Sequence, residues 1–186
     1  ADPSSAEIAP LWRQVAPTAT PNNFSTIQAA LDSLPTTGPD AKRWAVIRIA
    51  PGLYREKLFL KRDKVVLAGS CLSQTIIQYP ILRQHFLANR NSSALPSGKD
   101  LEKDWGAAVV NIAASDIQLL DLAVHNSYAL ENPQDPARFE HQFAVDIVLD
   151  HLDVEIRGQA QQLFLPLFGH GAAERVAQAC GQHQRL

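Results

Sequence analysis

The side chains able to do chemistry fall into a few groups. Asp146, Asp150 and Asp153 recur at i, i+4 and i+7 in AVDIVLDHLDVEI, a spacing that on a helix gathers three carboxylates on one face. Three such acids could hold calcium. The apolar positions Val145, Val148, Leu149, Leu152 and Ile156 fall on the opposite face, so the expectation is a helix with a solvated acidic side and no metal. His151, His170 and His183 lack the paired spacing of a zinc site. Cys71 and Cys180 lie far apart without metal-ligand spacing and read as two unrelated thiols, with pairing left open. Gln142 is different in kind. It enters an apolar run, HQFAV, straight after a long polar excursion, so that a polar side chain stands at the mouth of a strand. A side chain there either lines a groove or bonds to neighbouring backbone. Phe143 beside it either lines the same groove or packs inward, and Trp105 is either a stacking platform or a buried anchor.

Those residues need elements to hold them. FSTIQAALDSLP carries the clearest helix signal: Ser25 and Gln28 make an S-x-x-Q capping box, Ile27, Ala30, Leu31 and Leu34 share a face, and Pro35 ends it. Such a helix ahead of a run of strands is suited to covering the open end of a sheet. Strand signals then follow closely in RWAVIRIA, EKLFLKR, KVVLAGS and QTIIQY. In EKLFLKR, Leu58 and Leu60 face one way and Lys57, Phe59 and Lys61 the other. Ala107–Ile112 and Ile117–Val124 are two further strand-like runs, joined by the turn-like AASD. The gaps are too short for crossover helices, and hairpin dipeptides such as Asn-Gly are missing. Short apolar strands with abrupt non-hairpin turns fit a parallel solenoid in which each coil pairs with the next. Residues 80–103 form a charged excursion projecting from one face.

The bulk composition narrows the partners. Hydrophobic content of 46% with 19% charged residues describes a globular chain, and 186 residues suffice for one domain. A net charge of −2, with Lys and Arg scattered, gives no reason to expect nucleic acid or an anionic membrane. No apolar run reaches membrane-spanning length.

FSTIQAALDSLP, VIRIAPGLYREKL, VVLAGSCLSQTIIQY, DWGAAVVNIAASDIQLLDLAVHNSY and HQFAV, in that order, resemble the amino-terminal part of a pectinesterase of bacterial type, over about residues 22–145. PGLYREKL is the most specific piece, matching the family's P-G-x-Y-x-E strand junction. The resemblance implies an all-β, right-handed, single-stranded parallel β-helix, incomplete here, with an amino-terminal capping helix. It also implies hydrolysis of the methyl esters of galacturonate in pectin, giving carboxylate and methanol. In that chemistry one aspartate attacks the ester carbonyl and a second serves as general acid and base. Glutamine amides stabilise the oxyanion, an arginine orients the nucleophile, and neither metal nor organic cofactor is needed. Gln142 matches the family's first groove glutamine, while Tyr54 and Glu56 match positions that are mostly architectural.

After Val145 the pattern departs. RGQAQQLF aligns with the segment that carries the acid/base, but it puts Ala160 at the glutamine and Gln161 at the aspartate. Asp146, in VDIV, has the look of a nucleophile strand but falls directly on HQFAV, too early for the family. The expected organisation is therefore an extended lead-in at 1–21, β-helix coils at 22–145 and a divergent tail at 146–186, with a short helix at Ala172–Cys180. Three functions fit: a truncated or impaired pectinesterase, a non-catalytic coil fragment that binds polyuronate, or a related esterase or thioesterase on the same fold. The expected partner is methyl-esterified polygalacturonate, for a monomer that is secreted or periplasmic. An Ala-Asp-Pro start suits a mature exported chain.

Overall fold

The computed structural model describes residues 9–89, 105–147 and 154–157. Eleven described strands and three short helices run in the order β1 (Leu11–Val15), α1 (Ile27–Asp32), β2 (Ala45–Ile49), β3 (Gly52–Tyr54), β4 (Leu58–Leu60), β5 (Val65–Ala68), β6 (Thr75–Tyr79), α2 (Arg83–Ala88), β7 (Ala108–Ile112), β8 (Ile117–Leu120), β9 (Ala123–Asn126), α3 (Tyr128–Glu131), β10 (Phe143–Ile147) and β11 (Val154–Arg157). They form three sheets, ordered β1-β2-β5-β8-β11, β3-β6-β9 and β10-β7-β4. Every strand pairing in them is parallel. From β2 onward the chain visits the first sheet, then the second, then the third, and repeats. This is the coiling of a parallel β-helix.

The inward row of one coil sits on that of the next. Ala45, Val65 and Ile117 are in register, as are Ile47, Leu67 and Leu119, and all six are buried. On the third sheet Leu58 pairs with Val110 and Leu60 with Ile112, each 0–1% exposed. The alternation read in EKLFLKR is realised here, with Leu58 and Leu60 inward and Phe59 on the outer side. Stacking like on like gives each aliphatic side chain a neighbour above and below. Burial of each is worth about 1.5–3 kcal/mol.

Turns are stacked as well. Lys64 and Asp116 precede paired strands in successive coils, both adopt positive φ (60° and 58°), and their side chains form an ion pair of 3.1 Å. Gly69 lies where two corners meet: a Cβ there would come within 2.4 Å of the carbonyl oxygen of Asp121.

PGLYREKL works as a joint. Tyr54 is buried and its hydroxyl donates to Ala50 O at 2.8 Å. Burial first, then the charge of Glu56, raises its pKa. The Glu56 carboxylate accepts the backbone N–H groups of Ile27 and Gln28, at 2.9 and 3.0 Å, satisfying two orphan donors of α1 from a distant strand junction. The capping box is corrected by one position. Thr26, not Ser25, is the N-cap and accepts from Ala29 N. The Gln28 amide turns instead to the backbone of Phe59, accepting from its N–H at 2.9 Å.

Other expectations are also corrected. Ile117–Val124 is two strands in two sheets, β8 and β9, separated by a corner at Asp121 with φ of 51°. The lead-in contains β1, the first strand of the five-stranded sheet. The helix expected across Val145–Ile156 is replaced by β10 and β11, which pair with β7 and β8 and carry the coil past the boundary set at 145. Of its acids and aliphatics, Val145 and Asp146 are paired with β7 and Ile156 with β8, where parallel edges stood ready for them. Cys71 is disulfide-bonded, against the expectation of unrelated thiols. Cys180, the helix expected at Ala172–Cys180, the matched positions Ala160 and Gln161, and Asp150, Asp153, His151, His170 and His183 all lie outside the described residues.

Candidate functional site

The third sheet brings the candidate residues toward one surface. Register sets Phe59 of β4, Asn111 of β7 and Asp146 of β10 in one row on the outer side, since their neighbours Leu58, Val110 and Val145 form the adjoining inward row. Asp146 is partly exposed. Asn111 is fully buried, and its amide bonds to Leu58 O and to both backbone groups of Ala108. The outer side over β7 is thus covered.

What covers it is aromatic. Trp105 is 4% exposed and meets Phe59 edge-on, ring centroids 5.8 Å apart. Of the two expectations for Trp105, this placement is that of a packed anchor. Gly106 follows in a left-handed conformation (φ 92°), and Phe86 of α2 sits where a Cβ would be, 2.9 Å away. The ammonium of Lys57 lies over both Phe86 and Phe59, at 4.3 and 5.3 Å from the ring centroids. Burial lowers its pKa to about 8.

Gln142 closes the base of the excursion that follows β9. Its Oε1 accepts from Ala129 N at 3.4 Å and its Nε2 donates to Arg138 O. A primary amide has two N–H groups, so one donor remains for a ligand. Phe143 is partly buried at the start of β10. Asn126, at the end of β9, ties the neighbouring coils: its amide donates to Ile81 O and Phe143 O and accepts from Ile81 N and Tyr128 N.

The same excursion carries two polar clusters that the sequence did not announce. Tyr128 donates to Asp135 at 2.6 Å and lies 2.9 Å from His85 Nδ1 on α2. The hydrogen bond to Asp135, then burial and the carboxylate's charge, push the Tyr128 pKa up to about 12, and the same bond depresses that of Asp135. Glu131 accepts from Ser127 Oγ at 2.6 Å and from Arg55 Nη2 at 2.8 Å, and the Ser127 bond leads in lowering its pKa. These clusters hold α2 and α3 beside Gln142 and the strand that carries Asp146. The bonds to His85 and Arg55 join different coils, which no local spacing records. Among the described residues no three His, Cys, Asp or Glu side chains are placed to hold a metal. No helix among them is long and apolar enough to cross a membrane.

No protein-family model matches the chain, and no curated protein matches it in sequence. Solved structures do. A pectin methylesterase from Erwinia chrysanthemi aligns at 20% identity and a TM-score of 0.52, over 73% of this chain and 38% of that one. A pectin methylesterase from carrot aligns at 20% identity and a TM-score of 0.51, over 77% of this chain and 37% of that one. A third, a pectin methylesterase in complex with a hexasaccharide, aligns at 20% identity and a TM-score of 0.52, covering 73% of this chain and 38% of that one. The likeness is one of fold: parallel sheets coiled in the pectin methylesterase manner. The chain spans well under half the length of these relatives.

Proposed function

We propose that this chain is a pectinesterase-like carbohydrate esterase acting on methyl esters of galacturonate outside the cytoplasm. The observation that carries the reading is the fold likeness along 73% of the chain to a pectin methylesterase. It is joined by PGLYREKL, whose Tyr54 and Glu56 brace the coil as that motif should. The coils would wind right-handed, as parallel crossovers nearly always do. Helix α1 closes their amino-terminal end, with Gln28 bonded to the outer strand β4 and Arg13 to Ser33 at the end of the helix.

In this reading methyl-esterified polygalacturonate lies against the outer side of β10. The Asp146 carboxylate adds to the ester carbonyl, and the remaining Gln142 N–H faces the developing oxyanion. One such donor is worth about 3 kcal/mol in the transition state. The bond to methoxide breaks, methoxide takes a proton from solvent water and leaves as methanol, and water then hydrolyses the acyl-enzyme to the free acid and the Asp146 carboxylate. A second reading, polyuronate binding without turnover, is favoured by one observation: the Gln142 amide is already engaged with backbone at Ala129 and Arg138.

Methanol release from methyl-esterified pectin separates the two. Turnover by the chain that falls at least about a hundredfold in Asp146→Asn and about a hundredfold in Gln142→Ala supports the esterase. Binding of pectin with no methanol from any variant supports the second reading.

A further inference from the structure

On the outer side of β4, Lys57, Phe59 and Lys61 alternate cation, ring, cation. The Lys57 ammonium is partly buried, set over the rings of Phe86 and Phe59, and Lys61 reaches the same Phe59 ring at 5.9 Å. No carboxylate or hydrogen-bond acceptor among the described residues meets Lys57. The titratable groups on the elements around it are taken elsewhere. Glu56 holds the N-terminus of α1, Asp32 accepts from Gln28, and His85 bonds Tyr128. Arg83 on α2 and Asp146 on β10 also have partners of their own. A desolvated cation with only π-faces for company carries an unmet demand for an anion, and desolvation lowers its pKa in the ligand-free state.

We propose that Lys57, assisted by Lys61, is a carboxylate anchor that binds free uronate units of an acidic polysaccharide on the outer side of β4. The identity of the anion rests on the functional reading above, whereas the anchor itself rests on the geometry. It lies two strands from Asp146 across the same sheet, roughly 10 Å at the ordinary strand spacing.

The test is calorimetric binding of a short unesterified oligogalacturonate, and of its fully methyl-esterified counterpart, to the whole chain at about pH 7 and about pH 9.5. The acid oligomer should bind about tenfold tighter than the ester at the lower pH. That advantage should fall about tenfold by the higher pH as Lys57 deprotonates, with proton uptake on binding near pH 9 seen as buffer-dependent heat. Lys57→Gln should bind about tenfold more weakly at about pH 7 and lose the pH dependence, while Lys61→Gln should weaken binding less. Equal binding by Lys57→Gln, an unchanged affinity across pH in the wild-type chain, or ester bound as tightly as acid overturns the anchor. If Lys57→Gln does not fold, the wild-type pH series and the acid–ester comparison decide. Methanol release is scored separately: its absence alongside Lys57-dependent binding removes the esterase reading and leaves the anchor. Its presence with Lys57-independent binding does the reverse.

Discussion

Five backbone carbonyls share the guanidinium of Arg62: those of Pro35, Asp40, Arg43, Asp63 and Lys64, at 2.6 to 3.2 Å. The side chain is 8% exposed, and burial lowers its pKa. Only the planar fork of arginine reaches five acceptors around one turn, so Arg62→Ala should cost about 2–4 kcal/mol in urea denaturation and Arg62→Lys should recover only part of it. An equal midpoint for all three proteins would contradict the account. In KRDK this arginine reads as one more surface charge, because three of its partners, Pro35, Asp40 and Arg43, come from the loop before β2. The excursion clusters make a prediction about pH. Asp135 and Glu131 are held below the ordinary carboxylate range, so their support is present above about pH 4 and lost as pH falls through their lower folded values. Tyr128 is raised, so its support is present below about pH 10 and lost as pH climbs toward about 12. Amide exchange of Ala137, whose N–H bonds Asp135 at 2.8 Å, should therefore accelerate beyond the intrinsic rate only as pH falls below about 4. Tyr128→Phe should flatten that change.

At the scale of elements, the sequence was most legible where one residue type alternated without competition. β2, β4, β5 and β6 all lie inside the runs read as strands, and Leu58 and Leu60 face the core as their spacing indicated. The corner at Asp121 was hidden because no glycine or proline marks it. Its left-handed turn is held by the coil beneath, where Gly69 N donates to Leu120 O. β10 begins in HQFAV, the run at whose mouth Gln142 was read, whereas β11 was hidden because the acids and apolar residues across 145–156 also fit a helical period by chance. α1 was read correctly as a helix but not as one secured from outside. Removing the Glu56 carboxylate in Glu56→Ala should cost about 1 kcal/mol and speed amide exchange at Ile27 and Gln28, leaving the strand amides of β5 and β8 unchanged. Unaltered exchange at those two amides would show that Thr26 alone caps the helix.

As a whole molecule, the chain is a stack of unequal coils, and that inequality is why no repeat period shows in its sequence. The passage from β2 to β5 is a tight circuit, whereas that from β5 to β8 includes α2 and a long excursion. Pairing partners stay in register while the loops between them vary, so the fold survives in structure where sequence comparison finds nothing. The candidate site follows the same logic. Gln142 was legible because it breaks an apolar run, but its bonds to Ala129 and Arg138 depend on how the excursion folds back. The Lys57 anchor depends on rings from β4 and α2, distant in sequence. The ester chemistry proposed for the outer side of the third sheet is tested most directly by methanol release from methyl-esterified pectin by the purified chain beside its Asp146→Asn variant. The account predicts release by the first and a loss of about a hundredfold or more in the second. Equal release by both, or none from either, would contradict it.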